Sequence, residues 1–380
     1  MHTAWIRVVQ GQEAAFREAA MRERLVERFC SMVRIDSESG SEGPFIKMMR
    51  GQLETELKAR CETDAYGNLV AKIPALGVRD VEPIFLGAHG DTVRPGIGIE
   101  PEVVGGVIRS KGETILGADD KAGLAAIIEA ILEAEKRPPV DLLITRGEEV
   151  GLLGAKNLDL SLLSATRGFI VDSEVLNEVI VGGPTHASLD IEIVGKAAHA
   201  AAPEYGISAI RVASKAIQGF EEGKLDDETV ANVGTIEGGM IRNGVPETVK
   251  IKAECRSLND EKCRAQAAKM KAAFEKAAAD VGATAVVDLK IEYTACRVPD
   301  DAVQVQWAKQ AIARAGLEPK TKVILGGTDA LVLTSRGIDA AVLGFGGKAA
   351  HSTDEHIAVS DLEKVVDILR NLIEIAAEAS

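Results

Sequence analysis

The sequence is poor in the features that would mark a secreted, membrane or nucleic-acid-binding protein. Its cysteines (Cys30, Cys61, Cys255, Cys263 and Cys296) are odd in number and contain no C-x-x-C pair. That argues against a disulfide framework or a cysteine zinc site and fits a cytoplasmic setting. Basic residues are outnumbered, and the net charge of −14 argues against nucleic acid or an anionic membrane as partner. No apolar run approaches a membrane span. The amino-terminal stretch is studded with charge (Arg7, Glu13, Arg17, Glu18, Arg22, Glu23, Arg24) and lacks an apolar core of signal-peptide length. Internal repeats and low-complexity linkers are likewise missing. A chain of 380 residues exceeds what one core usually supports, so two domains are expected.

Histidine is scarce as well, at six residues, and two of them fall at similar places. One lies in Ala88-His89-Gly90-Asp91, the other in Ala350-His351-Ser352-Thr353-Asp354-Glu355. Three acidic stretches separate them: Gly117-Ala118-Asp119-Asp120-Lys121, Arg146-Gly147-Glu148-Glu149 and Val171-Asp172-Ser173. Two imidazoles with several carboxylates form a ligand set for a pair of divalent cations.

The surroundings of these groups point the same way. Pro83 to Ala88, Val140 to Thr145, Gly168 to Val171 and Asp339 to Phe345 are short apolar runs, and each leads toward one of the stretches. Such runs alternating with helical segments indicate an α/β fold with a mostly parallel sheet covered on both faces. Ligand sites of such sheets lie beyond the carboxyl ends of the strands. Asp119 precedes the amphipathic run Gly123 to Ala134, so it belongs near a helix N-terminus, where a carboxylate is favoured. Taken singly, a histidine is more often core or surface, an acidic pair is solvated, and Asp119-Asp120 merely caps a helix. Jointly, those readings leave unexplained why every group follows a strand end.

The middle of the chain has a different rhythm. Thr185 to Ile193 alternates as a half-buried strand, a helical segment follows at about 207–222, and strands are expected at 231–237 and 248–256. A long Ala/Lys/Glu helix covers 260–281, before a strand at 284–293. This β-α-β-β-α-β order reads as a ferredoxin-like α+β unit. The expected division is a catalytic metal-binding domain from 1–182 and 296–380, interrupted by an inserted lid or dimerisation domain, 183–295.

The ordered series of motifs resembles the di-zinc metallopeptidase superfamily of peptidase T, the aminoacylases, the carnosinases and succinyl-diaminopimelate desuccinylase. The likeness runs from about Leu25 to the carboxyl end. It is nearest to the peptidase T branch, through Leu116-Gly117-Ala118-Asp119-Asp120-Lys121-Ala122-Gly123 and Gly326-Gly327-Thr328-Asp329-Ala330. Residues up to about Ala20 match nothing in the family pattern; they are read as an extra helix without an assigned function. The resemblance implies that His89 and Asp172 hold one metal and Glu149 and His351 the other. Asp119 then bridges both, followed by a cis peptide bond. It further implies Glu148 as general base, and Asp91 as the carboxylate that hydrogen-bonds the free nitrogen of His89 and fixes its tautomer. The cofactors implied are two divalent cations, zinc first, with cobalt or manganese as alternatives.

Three residues of the inserted unit acquire roles from the same resemblance. His199, in Gly195 to Pro203, matches a lid histidine that stabilises the tetrahedral oxyanion. Asn243 and Arg256 match substrate contacts, and a guanidinium suits a peptide carboxylate. Met240-Ile241-Arg242 departs from the small residues common before that asparagine. In this superfamily an Asp at the position of Asp172 accompanies aminopeptidases and dipeptidases, whereas Glu accompanies carboxypeptidases and acylases. The expectation is therefore an aminotripeptidase-like amide hydrolase acting on small peptides, as a homodimer joined through the inserted domain. The alternatives are an N-acyl amino acid deacylase or carboxypeptidase on the same site, and a peptide-binding protein without catalysis.

Overall fold

The structure, a computed structural model, describes residues 2–379, with side chains from Glu18 onward. The chain forms two compact units, one comprising 1–181, 298–322 and 328–380, the other 182–297 with 323–327.

The first unit is built on a mixed sheet in which four strands run parallel side by side: Val140–Thr145, Ile84–His89, Arg167–Val171 and Asp339–Leu343. Every residue of Ile84–His89 and Val140–Thr145 is buried. Successive side chains of a strand point to opposite faces, so continuous burial means that both faces are covered. The flanks run antiparallel: Arg60–Thr63 and Leu69–Ile73 on one side, Glu178–Gly183 beside Asp339–Leu343 on the other. The parallel arrangement expected from the apolar runs thus holds for the centre of the sheet. Helix Ala118–Glu133 packs on Ile84–His89, and Val359–Glu378 packs on that helix in turn.

The amino-terminal helix, His2–Val33, packs on Ala118–Glu133. Arg24 and Arg28 anchor it there, both reaching the fully buried carboxylate of Glu129, at 2.6 and 2.8 Å. A small separate sheet joins Pro101–Val104, Val107–Ser110 and His356–Ala358. No helix among the described residues is long and apolar enough to cross a membrane, and no disulfide is formed among them.

The second unit carries a five-stranded antiparallel sheet in the order Gly223–Lys224, Thr229–Gly238, Thr248–Ser257, Thr185–Val194, Thr284–Tyr293. Helices Ala209–Ile217 and Asp260–Ala279 pack on it. Leaving out the two-residue edge strand, the chain order is β-α-β-β-α-β, and the first strand pairs with both the third and the last, as in a ferredoxin-like unit. In Thr185–Val194 burial alternates strictly along the strand. One face meets the two helices through a core that includes Leu189, Ile191, Val212, Met270 and Phe274.

Candidate metal centre

His89 is the last residue of its strand, Asp172 follows Arg167–Val171 directly, and Glu148 and Glu149 follow Val140–Thr145. These strands are parallel, so their carboxyl ends lie at one edge, and all four side chains emerge there. Asp119 stands in the first turn of helix Ala118–Glu133, with non-helical backbone angles and a cis bond to Asp120. His351 sits in a loop closed by the bridge between Lys348 and His356. Its backbone is left-handed (φ 63°), as is that of Ala349 (φ 55°).

These groups gather into overlapping clusters within the first unit. His89, Asp119 and Asp172 form one, Asp119, Glu149 and His351 another, and His89 also groups with Glu148 and Glu149. His89 Nε2 lies 3.1 Å from Asp119 Oδ1 and 3.9 Å from Asp172 Oδ1. His351 Nε2 lies 3.0 Å from Glu149 Oε2 and 3.4 Å from Asp119 Oδ2. Asp119 therefore offers one oxygen to each side.

The donor set fits cations. Ligands held about 2.0–2.1 Å from a tetrahedral ion stand roughly 3.3 Å from one another, and three of the four distances here fall at 3.0–3.4 Å, with His89 to Asp172 longer at 3.9 Å. Four carboxylates facing two imidazoles leave negative charge that two divalent cations would neutralise. One oxygen of Glu149, Oε1, is buried without any hydrogen-bond partner, and such an orphaned acceptor is costly unless a ligand meets it. The titration behaviour agrees. Burial, then the Asp172 charge, pushes Glu148 well above the usual carboxylate range; burial and the Asp119 charge do the same to Asp172. Bonds to Asp119 and Glu149 push the His351 imidazole up to about 10. A cation would relieve this crowding of like charge in the way protons otherwise must.

The loops carrying these groups are laced together by carboxylates that accept backbone N–H groups. Asp91 accepts the amides of Glu148 at 3.0 Å and Glu149 at 3.2 Å, and the Ser39 hydroxyl at 2.7 Å. Glu42 accepts Gly147 N at 3.1 Å and the Arg146 guanidinium at 2.7 Å. Glu174 accepts Ala350 N at 3.0 Å. Glu355 accepts Leu116, Gly117 and Asp119 N. Thr145 donates its hydroxyl to Asp329 at 2.5 Å, and burial pushes that carboxyl up to about 6.

His89 Nδ1 meets the backbone carbonyl of Asp91 at 2.9 Å, while the Asp91 carboxylate is 3.5 Å away, beyond a good hydrogen bond. The carbonyl fixes the tautomer that frees Nε2. The Asp91 carboxylate also accepts the two amides and the serine hydroxyl, and its contact and its charge both favour the protonated His89 imidazole.

His199, Asn243 and Arg256 belong to the second unit. His199 is exposed and pairs with Gly244 in a two-residue ladder, next to the equally exposed Asn243. Ala201 donates its N–H to His199 Nδ1 at 3.0 Å, which leaves the neutral ring's proton on Nε2. Arg256 donates to Glu254 at 3.1 Å and to the Leu325 carbonyl at 3.3 Å, and its Nε is buried without a partner. His186 reaches the same Glu254 oxygen at 2.9 Å and stacks edgewise on Tyr293.

Sequence reasoning assigned no role to Ser39, Glu42, Glu174, Asp329 or Glu355. Asp329 and Glu355 lie inside quoted motifs, so their stretches were visible even though their contacts were not.

Residues 85–375 match the pattern of Peptidase family M20/M25/M40. The Bacillus subtilis protein YqjE is 41% identical, over 94% of this chain and 99% of its own. The crystal structure of aminopeptidase PepT from Bacillus cereus superposes with a TM-score of 0.83 at 40% identity, covering 94% of this chain and 99% of that one. A tripeptidase structure from Staphylococcus aureus gives 0.87 at 33% identity, with the same coverage. The chain belongs to peptidase family M20/M25/M40 and is a metal-dependent peptidase.

Proposed function

We propose, starting from that family membership, that this chain is an aminopeptidase of short peptides, tripeptides first, working with two divalent cations. The observation that carries the reading is the shared Asp119, one oxygen toward His89 and the other toward His351. His89 and Asp172 would hold one cation, Glu149 and His351 the other, with Asp119 between them. Imidazole and carboxylate donors suit zinc first, with cobalt or manganese as substitutes. When bound, such a pair acidifies a water and polarises the scissile carbonyl.

The remaining chemistry falls to the chain's own side chains. Glu148 takes the water proton on its carboxylate and delivers it to the leaving amine nitrogen. Its buried, acid-crowded setting raises its proton affinity toward that of an effective base. Asp91 holds the backbone of Glu148 and Glu149, so that adjacent side chains diverge to base and ligand. His199, with its proton on Nε2, is suited to donate to the oxyanion. Arg256 and Asn243 would contact the peptide, the guanidinium at a carboxylate.

The odd cysteine count without a C-x-x-C pair supports a cytoplasmic enzyme, and the inserted unit is the proposed dimerisation domain. The reading is tested by incubating zinc- and cobalt-loaded protein with free, N-acylated and C-amidated tripeptides. Cleavage of peptides with a free amino end, and not of the N-acylated ones, is expected. Cleavage of N-acylated peptides alone would identify a deacylase or carboxypeptidase, and no cleavage at all a binding protein.

A further inference from the structure

The two sides of the centre share Asp119, yet Asp119 and His351 come from loops far apart in the chain. Something must fix their separation. The His351 loop supplies little of this itself, because the His351 side chain is 54% exposed and its backbone turns through left-handed angles. Four residues on, Glu355 is 2% exposed. Its Oε2 accepts Leu116 N at 2.8 Å and Gly117 N at 2.7 Å, and its Oε1 accepts Asp119 N at 3.0 Å. Asp119 and Asp120 depart from helical geometry, so these amides belong to the loop that presents Asp119 rather than to a regular helix end.

The demand at this position is specific. All three donors are N–H groups divided between two oxygens, so both side-chain heavy atoms must accept. Only a carboxylate does that; a Gln would turn its NH₂ toward an amide N–H. An Asp is one methylene short of the reach. Burying a carboxylate is costly unless hydrogen bonds compensate it, and here three bonds come from the backbone of the Asp119 loop, with the Lys121 charge nearby. Within the His351 loop itself, Ala350 N donates to Glu174, so that loop is tied down by a carboxylate at each end of its turn.

We propose that Glu355 is a positioning residue of the metal centre: by clamping the Asp119 loop to the His351 loop it sets their spacing and so governs the affinity of the Glu149–His351 side for its cation. This rests on the two-cation reading above. Glu355 is not itself a ligand.

The test is a cobalt titration of chelator-stripped wild type and Glu355→Gln, following ions bound per chain and the visible absorption of cobalt. In the wild type two ions should bind. The variant should also reach two, but its weaker site should need roughly 10–100-fold more cobalt, the usual effect of losing a partner that orients a ligand. Its cobalt spectrum should be altered, and kcat should recover at saturating cobalt with KM little changed. A variant with a lower Tm but unchanged cobalt affinities and spectrum has lost only a structural contact, and the proposal is then wrong. Fewer than two ions on the wild type overturns the two-cation reading and this proposal with it. Should Glu355→Gln fail to fold, hydrogen exchange on stripped wild type decides instead. The amides of Leu116, Gly117 and Asp119 should be protected without metal, and exchange at the rate of a free peptide would refute the clamp.

Discussion

Glu148 and Glu149 are neighbours in sequence with different surroundings. Glu149 Oε2 faces His351, while Glu148 is crowded by Asp172 and Asp329. Glu148→Ala should keep both cations yet lose about 10²–10⁴-fold in turnover, the usual worth of a general base. Glu149→Ala should lose cation affinity outright. Metal analysis alongside kinetics separates the two, and full loading of both variants would refute the assignment of Glu149. Residues of this kind were legible in the sequence because a histidine or acid directly after an apolar run is a pattern with a geometric meaning. Glu355, Glu42 and Glu174 were not legible. Each uses its carboxylate on backbone N–H groups distant in sequence, and a backbone donor leaves no mark on residue identity. The hold of Asp91 on the amides of Glu148 and Glu149 was hidden for the same reason.

The elements were read with fair accuracy where they are buried or strictly periodic: Val140–Thr145 and Thr284–Tyr293 begin and end where their patterns do. Less visible were the flanking strands Arg60–Thr63 and Leu69–Ile73, too short to establish a period. The hairpin of Pro101–Val104 and Val107–Ser110 was missed despite a usable signal. Gly105 and Gly106 both take positive φ, and a two-glycine link is the favoured tight turn between such strands. Gly123 shows how closely the helix of the metal centre approaches the sheet. A Cβ there would stand 2.6 Å from the Val171 carbonyl and 2.4 Å from Asp120 Oδ1. Gly123→Ala should therefore destabilise the fold by about 1–3 kcal/mol, as overpacking does, measured by urea unfolding of the metal-free protein. In the second unit, Glu254 is held down to about 2 by its bond to His186, against burial and with help from Arg256, from an ordinary value of 4.5. A carboxyl depressed in the folded state contributes stability above its unfolded pKa and loses it as pH falls toward the folded one. Between about pH 5 and about pH 3, the wild type should thus lose stability more steeply than Glu254→Gln. Equal slopes would mean that the pair contributes nothing.

At the scale of the whole molecule, the donor set at the strand ends belongs to one unit and His199 to the other. The proposed oxyanion role therefore has two possible sources, the second unit of the same chain or that of a second chain. The homodimer proposed above makes supply by the partner the leading expectation. A donor to a developing oxyanion is worth about 10²–10³ in kcat. His199→Ala should accordingly cut kcat while cation content and KM stay nearly unchanged, the signature of an interaction made only in the transition state. Mixing His199→Ala with Glu148→Ala protein then separates the two origins. If His199 serves the partner's site, a mixed dimer has one site lacking both groups and one with both intact, and activity should return toward half that of the wild type per mixed dimer. If it serves its own chain, each site lacks one group and no activity returns. Subunit exchange has to be verified in the same sample, by mass-tagged chains co-eluting as a mixed dimer. An exchanging but inactive mixture assigns His199 to its own chain, and a monomer by light scattering leaves its own chain as the only source.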